Sequence, residues 1–247
     1  MNGLTKLAWI EFKLFLRDTG GAVVTLILPM LLLILFGTVY GNEPVPEWGG
    51  YGLLDVIVPS LIGLVILIGS LFHLSVDMAT DREKGILRRL KATPLRPRTI
   101  LTSRVLRIFL TTVLGVVLLL LVGIGVFGLQ FHGNILSLIG GFLFSCVSLY
   151  AFGFLLASIM PNGRTAEGVA MILFFVMIFF SGVDIPFESL PENVLGVTQL
   201  LPLTHVNNLL KGLWLGFGWG EYLKEVVVLL SIAVVGISVS IKTFRWE

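Results

Sequence analysis

Residues 108–163 read IFLTTVLGVVLLLLVGIGVFGLQFHGNILSLIGGFLFSCVSLYAFGFLLASIMPNG and contain no Asp, Glu, Lys or Arg. A helix that crosses a membrane needs about 20 consecutive apolar residues, so this stretch is long enough to cross twice. The polar segment 130–134 interrupts it, and Gly133 and Asn134 favour a turn there. The stretch therefore predicts two membrane helices joined by a short loop.

The composition of the whole chain excludes most other classes of protein. Of the 247 residues, 56% are hydrophobic and 13% are charged, and the mean hydropathy is +0.99. Average soluble domains carry about 25% charged residues, and disordered chains carry far fewer apolar ones. Cys146 is the single cysteine, which excludes a disulfide framework or a multi-thiolate metal site within one chain.

Further charge-free stretches lie on both sides of this region, at 19–42, 56–76, 168–183 and 226–241. The last two are short, but uncharged or snorkelling residues at their ends can lengthen them. We predict an all-α polytopic membrane protein with a single transmembrane domain over residues 1–247. Its six predicted spans are 22–40, 53–76, 105–129, 135–160, 166–183 and 222–242.

The basic residues predict the orientation of these spans. All but two of the 17 Lys and Arg residues fall on one side, and the exceptions are Lys211 and Lys224. Loops rich in Lys and Arg stay on the cytoplasmic side of a membrane. We therefore expect a multi-pass protein of the plasma (inner) membrane, with an even number of spans and both termini in the cytoplasm.

Residues 1–21 predict a helix that lies along the inner leaflet before the first span. Apolar side chains recur there at helical spacing, and Lys13 and Arg17 supply a basic edge. We expect Phe12, Phe15 and Arg17 to belong to this interfacial helix. The alternative is a solvated lead-in to span 1.

Residues 77–104 connect spans 2 and 3 and are the most informative part of the chain. Thr80 and Glu83 have the spacing of a capping box, which predicts a short helix from Asp81 to about Lys91. Thr93-Pro94 ends it, and Pro97 is expected to prevent its resumption before span 3. Its apolar face is formed by Ile86, Leu87 and Leu90, and basic residues surround that face. Such a helix favours docking on a cytoplasmic partner, and the alternative is a basic loop that only fixes topology.

Residues 184–221 connect spans 5 and 6 on the outer side. The segment is long and partly apolar, with prolines at 186, 191 and 202 and a glycine cluster at 216–220. Two short helices that dip into the outer leaflet would fit, one starting near Ser189 and the other capped by Thr204. Helix breaks at membrane depth are tolerated where protein buries them or where they line a cavity.

Motifs for catalysis are absent from the sequence. There is no Walker A sequence, so we expect ATP and Mg²⁺ to bind to another chain, and we expect no cofactor here. The glycine pattern at 123–128 lies inside an apolar span, where it favours helix packing. The histidines have no zinc-ligand spacing, so no metal site is predicted. We therefore do not expect this chain to be an enzyme by itself.

Four ionisable residues lie at or near the predicted spans: Asp55, His73, Asp77 and Asp184. We interpret them as interfacial residues that reach water. The functional alternative is that His73, Asp77 and Asp184 line a translocation path. A proton relay would place a carboxylate near the membrane midplane, and none is predicted, which weighs against an ion-coupled secondary carrier.

Three stretches together resemble the transmembrane subunit of ABC type-2 exporters. They are Glu11–Asp18, Asp81–Leu95 and the outer segment that starts at Ile185 and ends at Gly216. The middle stretch, DREKGILRRLKATPL, is the most specific. The residues that match the family pattern there are Glu83, Gly85, Leu87, Leu90 and Thr93-Pro94-Leu95.

The resemblance implies that two six-span subunits pair, as a homodimer or a heterodimer, and that each docks a separate cytoplasmic ABC ATPase. It also implies export and makes the segment between spans 2 and 3 a coupling helix. We expect the ATPase contact to involve Glu83, Ile86, Leu87, Arg88, Arg89 and Leu90. An apolar path suits amphipathic, drug-like or lipid-linked cargo. The alternatives are a secondary carrier and a membrane anchor for an ATPase that transports nothing.

Overall fold

The computed structural model describes residues 23–44, 50–91, 97–181 and 198–243, together with Lys13, Gly21 and Gly196. Six of its helices are long and apolar enough to cross a membrane. Their bounds are Val23–Tyr40, Leu53–Glu83, Thr99–Phe127, Ile135–Ile159, Gly163–Phe180 and Trp219–Thr243, which we call spans 1 to 6. The predicted all-α fold with six spans is confirmed.

Two shorter helices complete the described architecture. Ile86–Lys91 follows span 2, and we call it the linker helix. Pro202–Trp214 precedes span 6, and we call it the buried helix. Span 3 continues a helix that begins at Pro97. We call the end of the bundle that carries the linker helix the inner end, following the predicted orientation.

Span 2 is the centre of the bundle. Its most apolar window is 89% buried, whereas the windows of the other spans are between 22% and 44% buried. Spans 1, 3, 4 and 5 and the buried helix all contact it, and span 6 packs on span 4 and on the buried helix. An apolar helix surface can face lipid or protein equally well, so the buried polar side chains Ser60, Ser70, His73 and Ser75 are what favour protein around span 2.

Close backbone approach joins span 2 to span 4. The Ser70 hydroxyl donates a hydrogen bond to the Leu149 carbonyl across the two helices. A Cβ atom at Gly153 would lie 2.5 Å from the Ser70 carbonyl oxygen, so glycine is required there. Next to this contact, the Thr112 and Tyr150 hydroxyls lie 2.8 Å apart and connect spans 3 and 4.

The buried helix confirms part of the prediction for residues 184–221. It begins at Pro202 after Leu201, so the prediction that Thr204 caps it is wrong. The Thr204 hydroxyl instead donates to the Ser181 hydroxyl at 3.2 Å, because the helix lies against the end of span 5. The other predicted short helix, near Ser189, lies outside the described residues.

Replacement of Gly153 by Ala should destabilise the protein by about 1–3 kcal/mol, because the new methyl group forces span 4 away from Ser70. Gly168 on span 5 has no atom within 4 Å of an added Cβ, so Gly168→Ala is the matched control. The control should be neutral or stabilising by up to about 1 kcal/mol. Thermal unfolding of the purified variants in mild detergent measures both, and equal effects would contradict the packing described here.

Candidate functional site: the inner end of span 2

The helix of span 2 continues to Glu83, well past the end predicted at residue 76. It ends where Gly85 takes a φ of +66°, a conformation that glycine adopts readily. The linker helix starts directly afterwards at Ile86. The predicted start at Asp81 is therefore wrong, since Thr80 lies inside span 2 and its carbonyl accepts from the Lys84 amide at 2.9 Å.

The linker helix has one side against the bundle and one side exposed. Leu87 is fully buried in the core, and Ile86 is half-buried. Arg88 and Arg89 are exposed. Leu87 therefore does not belong to the apolar surface that we predicted for a partner, because the chain itself covers this side chain. The side chain of Leu90 lies outside what the structure describes.

Glu83 also faces the chain itself. Its carboxylate accepts a hydrogen bond from the Gly163 amide at 2.8 Å, at the start of span 5. Arg82 donates from both Nη atoms to carbonyls at the end of span 4, those of Ala157 and Met160. The sequence identified Glu83 as important but assigned it to a partner, and it grouped Arg82 with the basic residues around the apolar face of the predicted helix.

Two ion pairs join the inner ends of spans 2 and 3. The Nη2 atom of Arg107 lies 2.7 Å from the Oδ2 atom of Asp77, and the side chains of Asp77 and Arg107 are 38% and 10% exposed, respectively. Asp81 forms the second pair with Arg104, one helical turn closer to the linker helix. These partners were not predicted, because they are about 20 to 30 positions apart in the chain. The available signal was the spacing within each span, which puts the two aspartates on one face of span 2 and the two arginines on one face of span 3.

His73 lies in a part of span 2, Gly69–Val76, that has π-helical geometry. Its Nε2 is 2.6 Å from the Thr25 hydroxyl of span 1, which is also in a π-helical segment. Arg107 donates to the His73 carbonyl at 3.4 Å. His73 is only 8% exposed, so the interpretation that it reaches water is wrong. Its hydrogen-bond partner in a neighbouring span makes burial tolerable.

Asp55 at the outer end is also buried, with 3% exposure, which corrects the expectation of an interfacial carboxylate. It accepts from the Gln130 amide at 2.9 Å and from the Asn42 side chain at 3.2 Å. His132 lies 4.0 Å away from it. The carboxylate thus connects the loops after spans 1 and 3, and the two donors supply hydrogen bonds that a buried carboxylate needs.

Several predicted site residues lie outside the described residues, so their predictions stand as made. They are Phe12, Phe15, Arg17 and Asp184. Within the described parts of the chain, no group of three or more His, Cys, Asp and Glu side chains could hold a metal ion.

Asp77→Asn should destabilise the protein by about 1–3 kcal/mol, because it leaves the buried Arg107 guanidinium without its carboxylate. The partial exposure of Asp77 keeps this cost below that of a fully buried pair. The double variant Asp77→Asn/Arg107→Met removes both charges and should recover most of the loss. Thermal unfolding in detergent checks this, and a double variant less stable than the single one would refute the pairing.

Comparison with known proteins agrees with this architecture. Residues 3–214 match the family of ABC-2 type transporters. A putative transport permease of Bacillus subtilis, YvfS, is 26% identical over 241 residues, covering 94% of this chain and 92% of YvfS. A putative transport permease of Cyanophora paradoxa, ycf38, is 28% identical over 221 residues, covering 87% of this chain and 74% of ycf38.

A probable multidrug ABC transporter permease of Escherichia coli, YbhR, is 25% identical over 159 residues. That match covers 64% of this chain and 43% of YbhR, so this chain corresponds to less than half of that relative. The family match, by contrast, extends from the predicted interfacial segment to the end of the buried helix. With its six membrane-length helices, this chain belongs to the family of ABC-2 type transporters and is a multi-pass permease subunit of an ABC transporter.

Proposed function

We propose that this chain is the membrane-spanning subunit of an ATP-driven exporter and that the linker helix docks on a separate cytoplasmic ATPase. The observation that carries this proposal is the exposure of Arg88 and Arg89 on a short helix beyond the end of span 2. Six residues are too few to form a stable helix alone in water. The buried Leu87 anchors the helix, so the two arginines are held in a fixed place.

The ATPase in this proposal is a separate subunit, which would bind ATP and Mg²⁺. Of the predicted contact residues, we keep Arg88 and Arg89 as the principal ones and Ile86 at the edge. Leu87 anchors the linker helix to the bundle, whereas the exposed Glu83 contacts the start of span 5. Arginine is suited to a protein interface because its planar guanidinium can bind a carboxylate with two hydrogen bonds.

A second transmembrane subunit is part of the proposal. Spans 1, 5 and 6 are only 22% to 28% buried in their most apolar windows, which leaves wide apolar faces on one chain. Lipid covers such faces, and a second copy or a related subunit fits them equally well. We place the translocation path between the two subunits, in the plasma membrane, with both termini of this chain in the cytoplasm.

An amphipathic or lipid-linked cargo is favoured by the side chains that a path between subunits would offer. Span 5 exposes Met171, Ile172, Phe175 and Phe179, with 45% to 66% exposure. The acids at the inner end, Asp77 and Asp81, are paired with arginines of the same chain. A strongly ionic cargo would need opposite charges on the path that are available to bind it within the membrane.

Two other functions remain as outcomes of experiment. An ion-coupled secondary carrier would show transport that an uncoupler stops. Asp77→Asn would abolish that transport, and the double variant Asp77→Asn/Arg107→Met would not recover it even though it recovers stability. A membrane anchor that transports nothing would bind the ATPase without moving cargo. The intrachain pairing of Asp77 with Arg107 favours a structural role for this carboxylate over a role in ion coupling.

The proposal is tested by a pull-down of the tagged chain from its native membrane in mild detergent, with mass spectrometry of the bound proteins. A soluble ATPase with a Walker A motif should be recovered. Arg88→Glu/Arg89→Glu should lower its recovery about tenfold or more, because two charges at the contact are reversed.

The matched control is Arg164→Glu/Lys242→Glu, which reverses two exposed charges at the same end of the bundle that belong to spans 5 and 6 and not to the linker helix. This control should keep the ATPase. If the unmodified chain brings down no ATPase, the proposed function is wrong. If both double variants lose it equally, the contact is a general charge effect and not a docking site.

A further inference from the structure

Two consecutive side chains of span 2 form hydrogen bonds to the two sides of the turn between spans 4 and 5. This turn, residues 160–162, joins the C-terminus of span 4 to the N-terminus of span 5. Arg82 binds one side of the turn and Glu83 binds the other. Both belong to the last turn of span 2, directly before the bend at Gly85.

Arg82 binds the C-terminal end of span 4. Its Nη1 donates to the Ala157 carbonyl at 3.1 Å, and its Nη2 donates to the Met160 carbonyl. The last carbonyls of a helix have no partner within the helix and carry its partial negative charge. A guanidinium with two donors in one plane therefore supplies hydrogen bonds to these carbonyls and also balances their partial negative charge.

Glu83 binds the N-terminal end of span 5 with the opposite charge. Its carboxylate accepts from the Gly163 amide at 2.8 Å, which is the first residue of that helix. The Asn162 side chain caps the same helix by accepting from the Thr165 amide at 2.8 Å. The two acceptors use different amides, so Glu83 adds to the cap and does not replace it. A negative charge at a helix N-terminus is stabilising.

Steric contact makes this connection rigid. A Cβ atom at Gly163 would collide with the Thr80 hydroxyl, so the backbone of span 5 touches the helix of span 2. The inner ends of spans 2 and 5 are therefore in direct contact, and Arg82 connects the end of span 4 to them. A displacement of the linker helix reaches Glu83 through the two residues Lys84 and Gly85.

We infer that Arg82 and Glu83 form a clamp that transmits the movement of the linker helix to spans 4 and 5 together. This inference rests on the proposed function, since the movement comes from the ATPase. Arg82 and Glu83 are positioning residues that do not have to touch ATPase or cargo. The ATPase contact and the clamp are then separable, because they use different residues on the two sides of Gly85.

An added cysteine at position 164 (Arg164→Cys) tests the clamp in the intact complex with the ATPase. Arg164 is exposed in the first turn of span 5, and the native Cys146 is only 3% exposed. The rate of labelling by a membrane-impermeant maleimide is measured with and without a non-hydrolysable ATP analogue and Mg²⁺. The chain without the reporter cysteine corrects for any reaction of Cys146.

In the otherwise unmodified chain, we expect the nucleotide to change the labelling rate at 164 severalfold. Arg82→Gln/Glu83→Gln should abolish this change while the ATPase co-purifies in the same ratio. Lys84→Gln is the matched control, because it removes an adjacent exposed charge and leaves the clamp contacts in place. Glu83→Gln alone keeps an acceptor oxygen and should give an intermediate response. It also serves as the test if the double variant fails to fold.

The outcomes separate the clamp from the proposed function. Recovery of no ATPase with the reporter chain contradicts the proposed function and the clamp together. If the ATPase is retained but nucleotide does not change labelling at 164, or still changes it in Arg82→Gln/Glu83→Gln, the clamp is wrong. Loss of the ATPase from a folded double variant would assign Arg82 and Glu83 to the docking surface, which also overturns the clamp.

Discussion

Span 2 has to be covered by protein on all sides, because it carries polar groups at membrane depth and lipid offers them no hydrogen-bond partner. Ser60, Ser70, His73 and Ser75 are all at most 8% exposed. Ser70 finds a carbonyl of span 4, and His73 finds a hydroxyl of span 1. The spans around span 2 therefore also supply hydrogen-bond partners to its polar side chains. Gly153 lets span 4 come close enough to supply one of them.

The same constraint explains the inner end of the bundle. Asp77 and Asp81 extend span 2 beyond its apolar part, and Arg104 and Arg107 from span 3 lie beside them. Directly after Asp81, Arg82 and Glu83 bind the ends of spans 4 and 5. The charged end of span 2 is thus attached to three other spans before the chain bends at Gly85. A linker helix placed there is well situated to act on several spans at once.

The six spans were predictable because charge-free length is a local property of the sequence. The continuation of span 2 as a helix to Glu83 was not predictable, because charged residues in that position are typical of a loop. Their partners in span 3 are distant in the sequence. Thr80 and Glu83 have the spacing of a capping box, but the same two residues fit a helix end, and Gly85 was the signal for that reading. The burial of Leu87, Asp55 and His73 depends on contacts between distant parts of the chain, which one sequence without an alignment does not reveal.

The central claim is that the linker helix is the place where an ATPase meets this permease. A photo-crosslinking amino acid at position 89, activated in native membranes, tests it most directly. Position 200 serves as the comparison, because Leu200 is 80% exposed at the other end of the bundle. We expect a covalent adduct with a soluble Walker A ATPase from position 89 and none from position 200. An adduct from both positions, or from neither, would contradict it.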